Sequence, residues 1–250
     1  MIFYDRYTNG EDGRIVYYEI YNLGELAFTE KYSDDIQNVL VETFQRVAYN
    51  LDIIYAELKN INYGFKTEFE LNSEKPLLKT LPNTANLLVK LEKAVEGFGY
   101  VPQSLKLFYE IVGSCNFGWD YDNKPQMFWQ CADPIQINSI DDVVDYVSDP
   151  DWKEYLNDIM ADEDTQSPYL ELAADYLHKD NISGGPPYSI QITKKTSIDG
   201  LFLNEAHETT FVNYLRICME NCGFSRITES KYRNDYQQFF RRVSPQLKKI

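Results

Sequence analysis

Histidine and cysteine are the residue types of this chain that most directly suggest catalysis or metal binding. One of the two histidines, His178, lies between Asp175 and Asp180, where a metal ion could be held. A surface histidine beside acids gives the same pattern, and we favour that interpretation because most catalytic zinc sites draw on more histidines than the two that this chain contains. Cys218 and Cys222 are four residues apart, which places them on one face of a helix, but no Cys-x-x-Cys pair accompanies them. We interpret both thiols as small buried side chains and predict no metal and no cofactor.

Neighbouring carboxylates and a glycine-rich loop are the other features with catalytic potential. Acids stand together at 120 and 122, at 141 and 142, and from 162 to 164, all in polar stretches where we expect them to be solvated. General acid catalysis needs instead a carboxyl group in a dry pocket that raises its pKa. The loop SGGPP, residues 183–187, lacks the lysine of a phosphate-binding loop, and its two prolines remove N–H donors. The sequence predicts no catalytic residue, and we expect a protein that is not an enzyme.

The acidic residues are unevenly distributed along the chain. The 250 residues carry a formal net charge of −15. Residues 141–175 contain twelve acids and one base, a net charge of −11, whereas residues 226–250 have a net charge of +5. This field opposes binding to nucleic acid or to a membrane surface and attracts a basic protein. A solvated helical face is the alternative interpretation of such a charge run.

We predict that a partner docks on this acidic middle of the chain. A basic partner would be attracted to it and repelled by the C-terminal segment. Trp119 or Tyr121 would supply an aromatic anchor if it lay at the centre of the interface. The predicted partner-binding residues are Trp119, Asp120, Tyr121, Asp122, Asp141, Asp142, Asp145, Asp149, Asp151, Asp162, Glu163 and Asp164.

The sequence also bears on the cellular compartment. The first residues, MIFYDRYTNGEDGR, contain neither the basic nor the apolar segment of a secretory signal. No apolar run approaches the ~20 residues of a membrane helix. We expect a cytoplasmic protein whose cysteines are reduced.

The first 82 residues are predicted to form a region of their own. Residues 14–21 and 25–32 are aromatic, partly alternating and separated by a turn, which predicts a β-hairpin. A long amphipathic helix is predicted from about 35 to 61, because apolar residues recur in steps of three and four. Its stripe is typical of a helix packed on a core, and a homodimer through it is compatible with the pattern. Residues 67–71 alternate like a strand, and the proline-containing stretch 72–84 is a candidate linker.

Residues 83–250 are predicted to be a second region in which helices and strands mix without regular alternation. Helices are expected at about 87–95, 102–112, 139–147, 152–159, 209–222 and 231–242. Strands are expected at about 115–121, 125–131, 132–137, 188–192 and 198–203, and the pattern at 169–177 fits either a strand or a helix. This order predicts an α+β fold with a mixed or antiparallel sheet packed against helices.

Four segments of the second region resemble the SUKH superfamily, the Smi/Knr-like fold. They are YVPQSLKLFYEIVGSCNF (100–117), ADPIQI (132–137), SGGPPYSIQI (183–192) and ETTFVNYLRICMENCGF (208–224). Their order is similar to that of the family, and the resemblance covers about residues 86–227. Many relatives have Asn-Gly where this chain has Gly113-Ser114, a departure that concerns only one turn.

The resemblance implies a function in binding. SUKH proteins include bacterial immunity proteins, which neutralise a cognate toxin, often a nuclease, and eukaryotic interaction scaffolds. Residues 83–250 would then be a non-catalytic SUKH-like domain followed by a basic C-terminal helix. The expected partner is a toxin with a basic nuclease cleft, and an endogenous partner of a cytoplasmic scaffold is the alternative.

Overall fold

The computed structural model describes residues 2–66, 75–121, 124, 129–161, 167–227 and 233–250, and these form an α+β fold. The helices are α1 (Phe3–Thr8), α2 (Gly13–Asn22), α3 (Ser33–Asn60), α4 (Thr84–Val95), α5 (Gln103–Leu107), α6 (Ile140–Ser148), α7 (Pro150–Ala161), α8 (Tyr176–Lys179), α9 (Phe211–Glu220) and α10 (Asn234–Val243). The strands are β1 (Leu77–Leu78), β2 (Ser114–Asn116), β3 (Gln136–Ile137), β4 (Tyr169–Ala173), β5 (Tyr188–Gln191) and β6 (Phe202–Leu203). The predicted α+β class is confirmed.

The predicted N-terminal hairpin is wrong, because its two segments are helical. Residues 13–22 form α2, and Gly24–Phe28 form a 3-10 helix. The side chain of Asp12 accepts a hydrogen bond from the Arg14 N–H and so caps α2. Val16, Tyr17 and Ile20 are buried on one face. The aromatic and β-branched residues favour a strand when they are considered locally, but burial of this helical face decides the conformation.

The long helix α3 is confirmed by the structure. Its predicted apolar stripe is buried from Ile36 to Leu58, and the helix packs against α1, α5, α9 and α10. The Asn50 side chain donates to the carbonyl of Lys248 and accepts from its N–H, both at 2.8 Å. The N-terminal region therefore contacts the last residues of the chain directly, and the division at residue 82 remains a prediction.

Six strands form two small antiparallel sheets in the described residues, in the orders β1-β2-β3 and β4-β5-β6. The Asn138 N–H donates to the Leu172 carbonyl at 2.7 Å and so joins the end of β3 to β4. The chain turns into β2 at Gly113, whose φ of 100° suits glycine. The sheets and α9 enclose an aromatic core that includes Phe117, Trp119 and Phe202.

Most of the other predicted elements are confirmed, with shorter strands. Helices lie at the expected positions around 87–95, 102–112, 139–147, 152–159 and 211–222, and a π-helical turn, Phe108–Val112, extends α5. The ambiguous stretch 169–177 contains strand β4 and the start of helix α8. Two residues of the candidate linker form β1. The strand predicted at 125–131 is wrong in its described part, because residues 129–131 form a turn. The strand predicted at 67–71, residues 125–128, and residues 231 and 232 of the last helix lie outside the described residues.

Candidate functional site

Helices α6 and α7 present the acidic segment at the surface. Ser139 caps α6, because its hydroxyl oxygen accepts from the Asp142 N–H. The four apolar residues of α6 point inwards and are buried: Ile140, Val143, Val144 and Val147. In α7, Trp152 and Leu156 are buried, and the Trp152 ring meets Phe98 edge to face at 5.8 Å. With their apolar faces in the core, the two helices turn their acids outwards.

Seven acids make up what we call the acidic face. Five of them are exposed: Asp145, Asp149, Asp151, Glu154 and Asp158. The other two, Asp141 and Asp142, lie on the first turn of α6 and are half-buried. The Asp142 carboxylate and the Ser139 hydroxyl are 2.6 Å apart. Burial raises the pKa of Asp142, the Ser139 hydrogen bond opposes this rise, and the Asp141 charge adds to it.

The acids of this face have no ion-pair partners in the described part of the chain. Elsewhere acids are neutralised locally, as in the pairs Arg6–Glu11 at 2.6 Å and Lys106–Glu92 at 2.9 Å. None of the described ion pairs includes an acid of α6 or α7. Lys153 of α7 is the one base on these two helices, and it forms no described ion pair. Most of their negative charge therefore has no neutralising partner among the described residues, and it is available to attract a cation or a basic protein.

Aromatic side chains lie beside these acids. Tyr146 of α6 is 38% exposed and Tyr155 of α7 is 48% exposed. The Tyr155 hydroxyl is 2.9 Å from the hydroxyl of Tyr169 on β4. Tyr146 and Glu171 on β4 lie close enough for each to influence the pKa of the other. We call these four residues the tyrosine cluster. Tyrosine is enriched in protein interfaces because its ring is apolar and its hydroxyl polar.

The predicted site residues divide into four groups. Asp141, Asp142, Asp145, Asp149 and Asp151 lie on α6, on α7 or between them, as expected for one surface. Trp119 is 1% exposed and packs edge to face on Tyr63 at 4.6 Å. The expectation that Trp119 is a surface anchor is wrong, because its ring belongs to the aromatic core.

Asp120 and Tyr121 are half-buried beside that core. The Tyr121 hydroxyl donates to the Lys179 carbonyl at 2.6 Å, so it fixes the loop to the end of α8. The remaining predicted residues, Asp122, Asp162, Glu163 and Asp164, lie outside the described residues.

A buried polar network was not predicted from the sequence. Asp133 is fully buried at a φ of 52°. Its carboxylate accepts from the Lys179 ammonium at 2.7 Å, from the Tyr188 hydroxyl at 2.9 Å and from the Ser225 hydroxyl. Burial and the Asp133 charge raise the pKa of Tyr188. The Asp-Pro dipeptide signals a turn, but the burial of Asp133 depends on residues far away in sequence. With both charges enclosed, the network stabilises the fold and offers substrates no access.

His178, Cys218 and Cys222, the residues considered for metal binding, occupy structural positions. His178 contacts the carboxylate of Asp175, which caps α8. Cys218 and Cys222 are buried, in agreement with their interpretation as core residues. In the ranges that the structure describes, His, Cys, Asp and Glu side chains form no group of three that could hold a metal ion. The prediction that the protein binds no metal stays a prediction for the chain as a whole.

Two surface cavities lie away from the acidic face. One, of about 420 Å³, is rimmed by basic residues that include Arg14, Arg46 and Lys248. The other, of about 370 Å³, lies between Phe28 and Tyr100. Neither lining contains a histidine or a cysteine. The acidic face and the tyrosine cluster therefore remain the surface with the clearest chemical preference.

Comparison of the chain with protein-family models, curated proteins and solved structures gave no match. Among the described helices, none has the length and apolar character needed to cross a membrane.

Proposed function

We propose that this protein is a non-catalytic immunity protein that binds and neutralises a toxin with a basic cleft, through the acidic face. The uncompensated charge of α6 and α7 carries the proposal. A nuclease binds phosphates in a basic cleft, and a row of carboxylates can occupy the same cleft. The similarity of four segments to the SUKH superfamily supports this assignment independently of the charge.

The exposed acids are suited to steering a partner. Charges at the rim of an interface mostly accelerate association, and they do so less effectively as salt is added. Asp145, Glu154 and Asp158 make no hydrogen bond or ion pair with described side chains, so the fold does not need them. The tyrosine cluster next to them would supply the apolar contact that slows dissociation.

Genetics and co-expression test this proposal. In a bacterial genome we expect a toxin gene directly upstream, and a cell that expresses this protein should survive induction of that toxin. Expression of the Asp145→Lys, Glu154→Lys, Asp158→Lys variant should protect less well at equal protein level. Full protection by that variant would contradict binding through the acidic face, and death in the presence of the unaltered protein would contradict the immunity function.

A cytoplasmic scaffold is the second candidate, and a separate surface favours it. Large apolar side chains are exposed along α2 and the following 3-10 helix: Ile15, Tyr18, Tyr21, Leu26 and Phe28. A scaffold would use this surface and the acidic face together. The homodimer considered through the α3 stripe would have to use this surface instead, because that stripe is buried. If no toxin gene is adjacent and the protein purifies with a constant cellular partner, the scaffold assignment replaces the immunity assignment. In both cases we place the protein in the cytoplasm.

A further inference from the structure

The tyrosine cluster brings together three structural elements at the edge of the acidic face. Tyr146 comes from α6, Tyr155 from α7, and Tyr169 with Glu171 from β4. The Tyr155 and Tyr169 hydroxyls are in hydrogen-bond contact at 2.9 Å. Each side chain keeps part of its surface open to solvent. The result is a shallow aromatic site that contains one carboxylate.

The carboxylate of Glu171 has no cationic partner among the described residues. It is half-buried, and no described ion pair includes it. Burial raises the pKa of Glu171, and the nearby Tyr146 hydroxyl only partly offsets the rise. A half-buried, unpaired carboxylate is unfavourable at neutral pH, and a cation that approached it would remove that cost.

The tyrosine rings of the cluster also lack cations, although such contacts are frequent in this protein. Lysine or arginine groups lie over the rings of other tyrosines, for example Lys248 on Tyr49 at 4.6 Å and Arg226 on Tyr176 at 3.9 Å. Within the described residues, none of these contacts involves the three tyrosines of the cluster. The site therefore offers ring faces, a carboxylate and a surrounding negative field, and no described lysine or arginine pairs with any of its four side chains.

We infer that the tyrosine cluster is the anchor site of the acidic face and that it receives an arginine side chain of the partner protein. The inference rests on the proposed function and specifies which side chain of the basic partner is recognised. Arginine fits better than lysine, because its flat guanidinium group stacks on aromatic rings while its N–H groups pair with a carboxylate. The acids of α6 and α7 would draw the arginine in, and Glu171 would hold it.

Two short peptides of equal charge can serve as probes, one of six arginines and one of six lysines. We expect the full-length protein to bind the arginine peptide about tenfold more tightly than the lysine peptide in low salt. Glu171→Gln should remove most of this difference while keeping the shape of the side chain. Glu154→Gln removes the same charge from the exposed rim. It should weaken the binding of both peptides equally, and by less than Glu171→Gln weakens the binding of the arginine peptide.

A second pair of variants examines the rings. Tyr155→Leu should lower the preference for arginine, whereas Tyr100→Leu, at an exposed tyrosine outside both proposed binding surfaces, should leave it unchanged. Circular dichroism confirms that each variant is folded. Equal affinity for the two peptides, or equal effects of Glu171→Gln and Glu154→Gln, would overturn the arginine site and leave the acidic face intact. The variant Asp145→Lys, Glu154→Lys, Asp158→Lys tests the acidic face itself. If it bound both peptides with the affinity of the original protein, binding through the acidic face would be contradicted.

Discussion

At the scale of single residues, the fold depends strongly on the buried carboxylate of Asp133. Replacement by alanine would leave the Lys179 ammonium, 2% exposed, without its counter-ion. Breaking a buried ion pair in this way costs about 3–5 kcal/mol. We expect Asp133→Ala to lower the free energy of unfolding by that amount in urea denaturation. The double variant Asp133→Ala, Lys179→Met should recover part of the loss. If its loss of unfolding free energy equalled the sum of the losses of the two single variants, the two charges would act independently.

Asp142 gives the protein a pH dependence whose sign can be derived. Burial raises its pKa in the folded state. The ionised form is therefore less favourable in the folded protein than in the unfolded chain. As the pH rises from the ordinary aspartate pKa of ~3.9 to the higher folded-state pKa, this residue lowers the free energy of unfolding. An amide does not ionise, so the stability of Asp142→Asn relative to the original protein should increase over this window. Thermal unfolding across the pH range measures the difference, and a difference that decreased with pH would contradict the burial of this carboxylate.

At the scale of elements, two glycines that follow helices provide a matched comparison. Gly97 and Gly113 have nearly the same φ, 102° and 100°. A Cβ at Gly113 would clash with the Leu78 carbonyl oxygen, whereas one at Gly97 would meet nothing within 4 Å. Gly97→Ala should cost ~1–2 kcal/mol, the price of an L-residue in this conformation. Gly113→Ala should cost distinctly more, because β1 must also move. Equal losses in chemical denaturation would show that β1 is not held against this turn.

Long amphipathic elements are easier to predict from sequence than short ones. The apolar stripe of α3 recurs from Ile36 to Leu58, about six turns, and all of it faces one core, so its period alone identifies the helix. In α2 the same 3.6-residue pattern is present only as Val16, Tyr17 and Ile20, and the neighbouring aromatic residues resemble a strand. The acids of α6 and α7 could be assigned to the surface from their pattern. The burial of Asp133 and Trp119 could not, because it depends on contacts with residues distant along the chain.

At the scale of the whole molecule, α3 connects the two predicted regions. It packs against α5, α9 and α10, and Asn50 holds the backbone of Lys248. Residues 83–250 expressed alone would expose the apolar surfaces that α3 covers, so we expect that fragment to aggregate. Co-expression with residues 1–82 should restore a soluble complex. A stable, monomeric 83–250 fragment would instead establish the second region as an independent domain.

The central claim is that the acidic face steers a basic toxin, and association kinetics test it most directly. The measurement is the association rate constant of the toxin encoded upstream, over a series of salt concentrations, for two variants of equal net charge. One carries Asp145→Lys, Glu154→Lys and Asp158→Lys on the acidic face. The control carries Glu30→Lys, Glu96→Lys and Glu208→Lys at exposed acids elsewhere. We predict that the first associates about tenfold or more slowly at low salt with a flattened salt dependence, and that the control retains a rate close to the original. Equal rates for the two variants would contradict the acidic face as the binding surface.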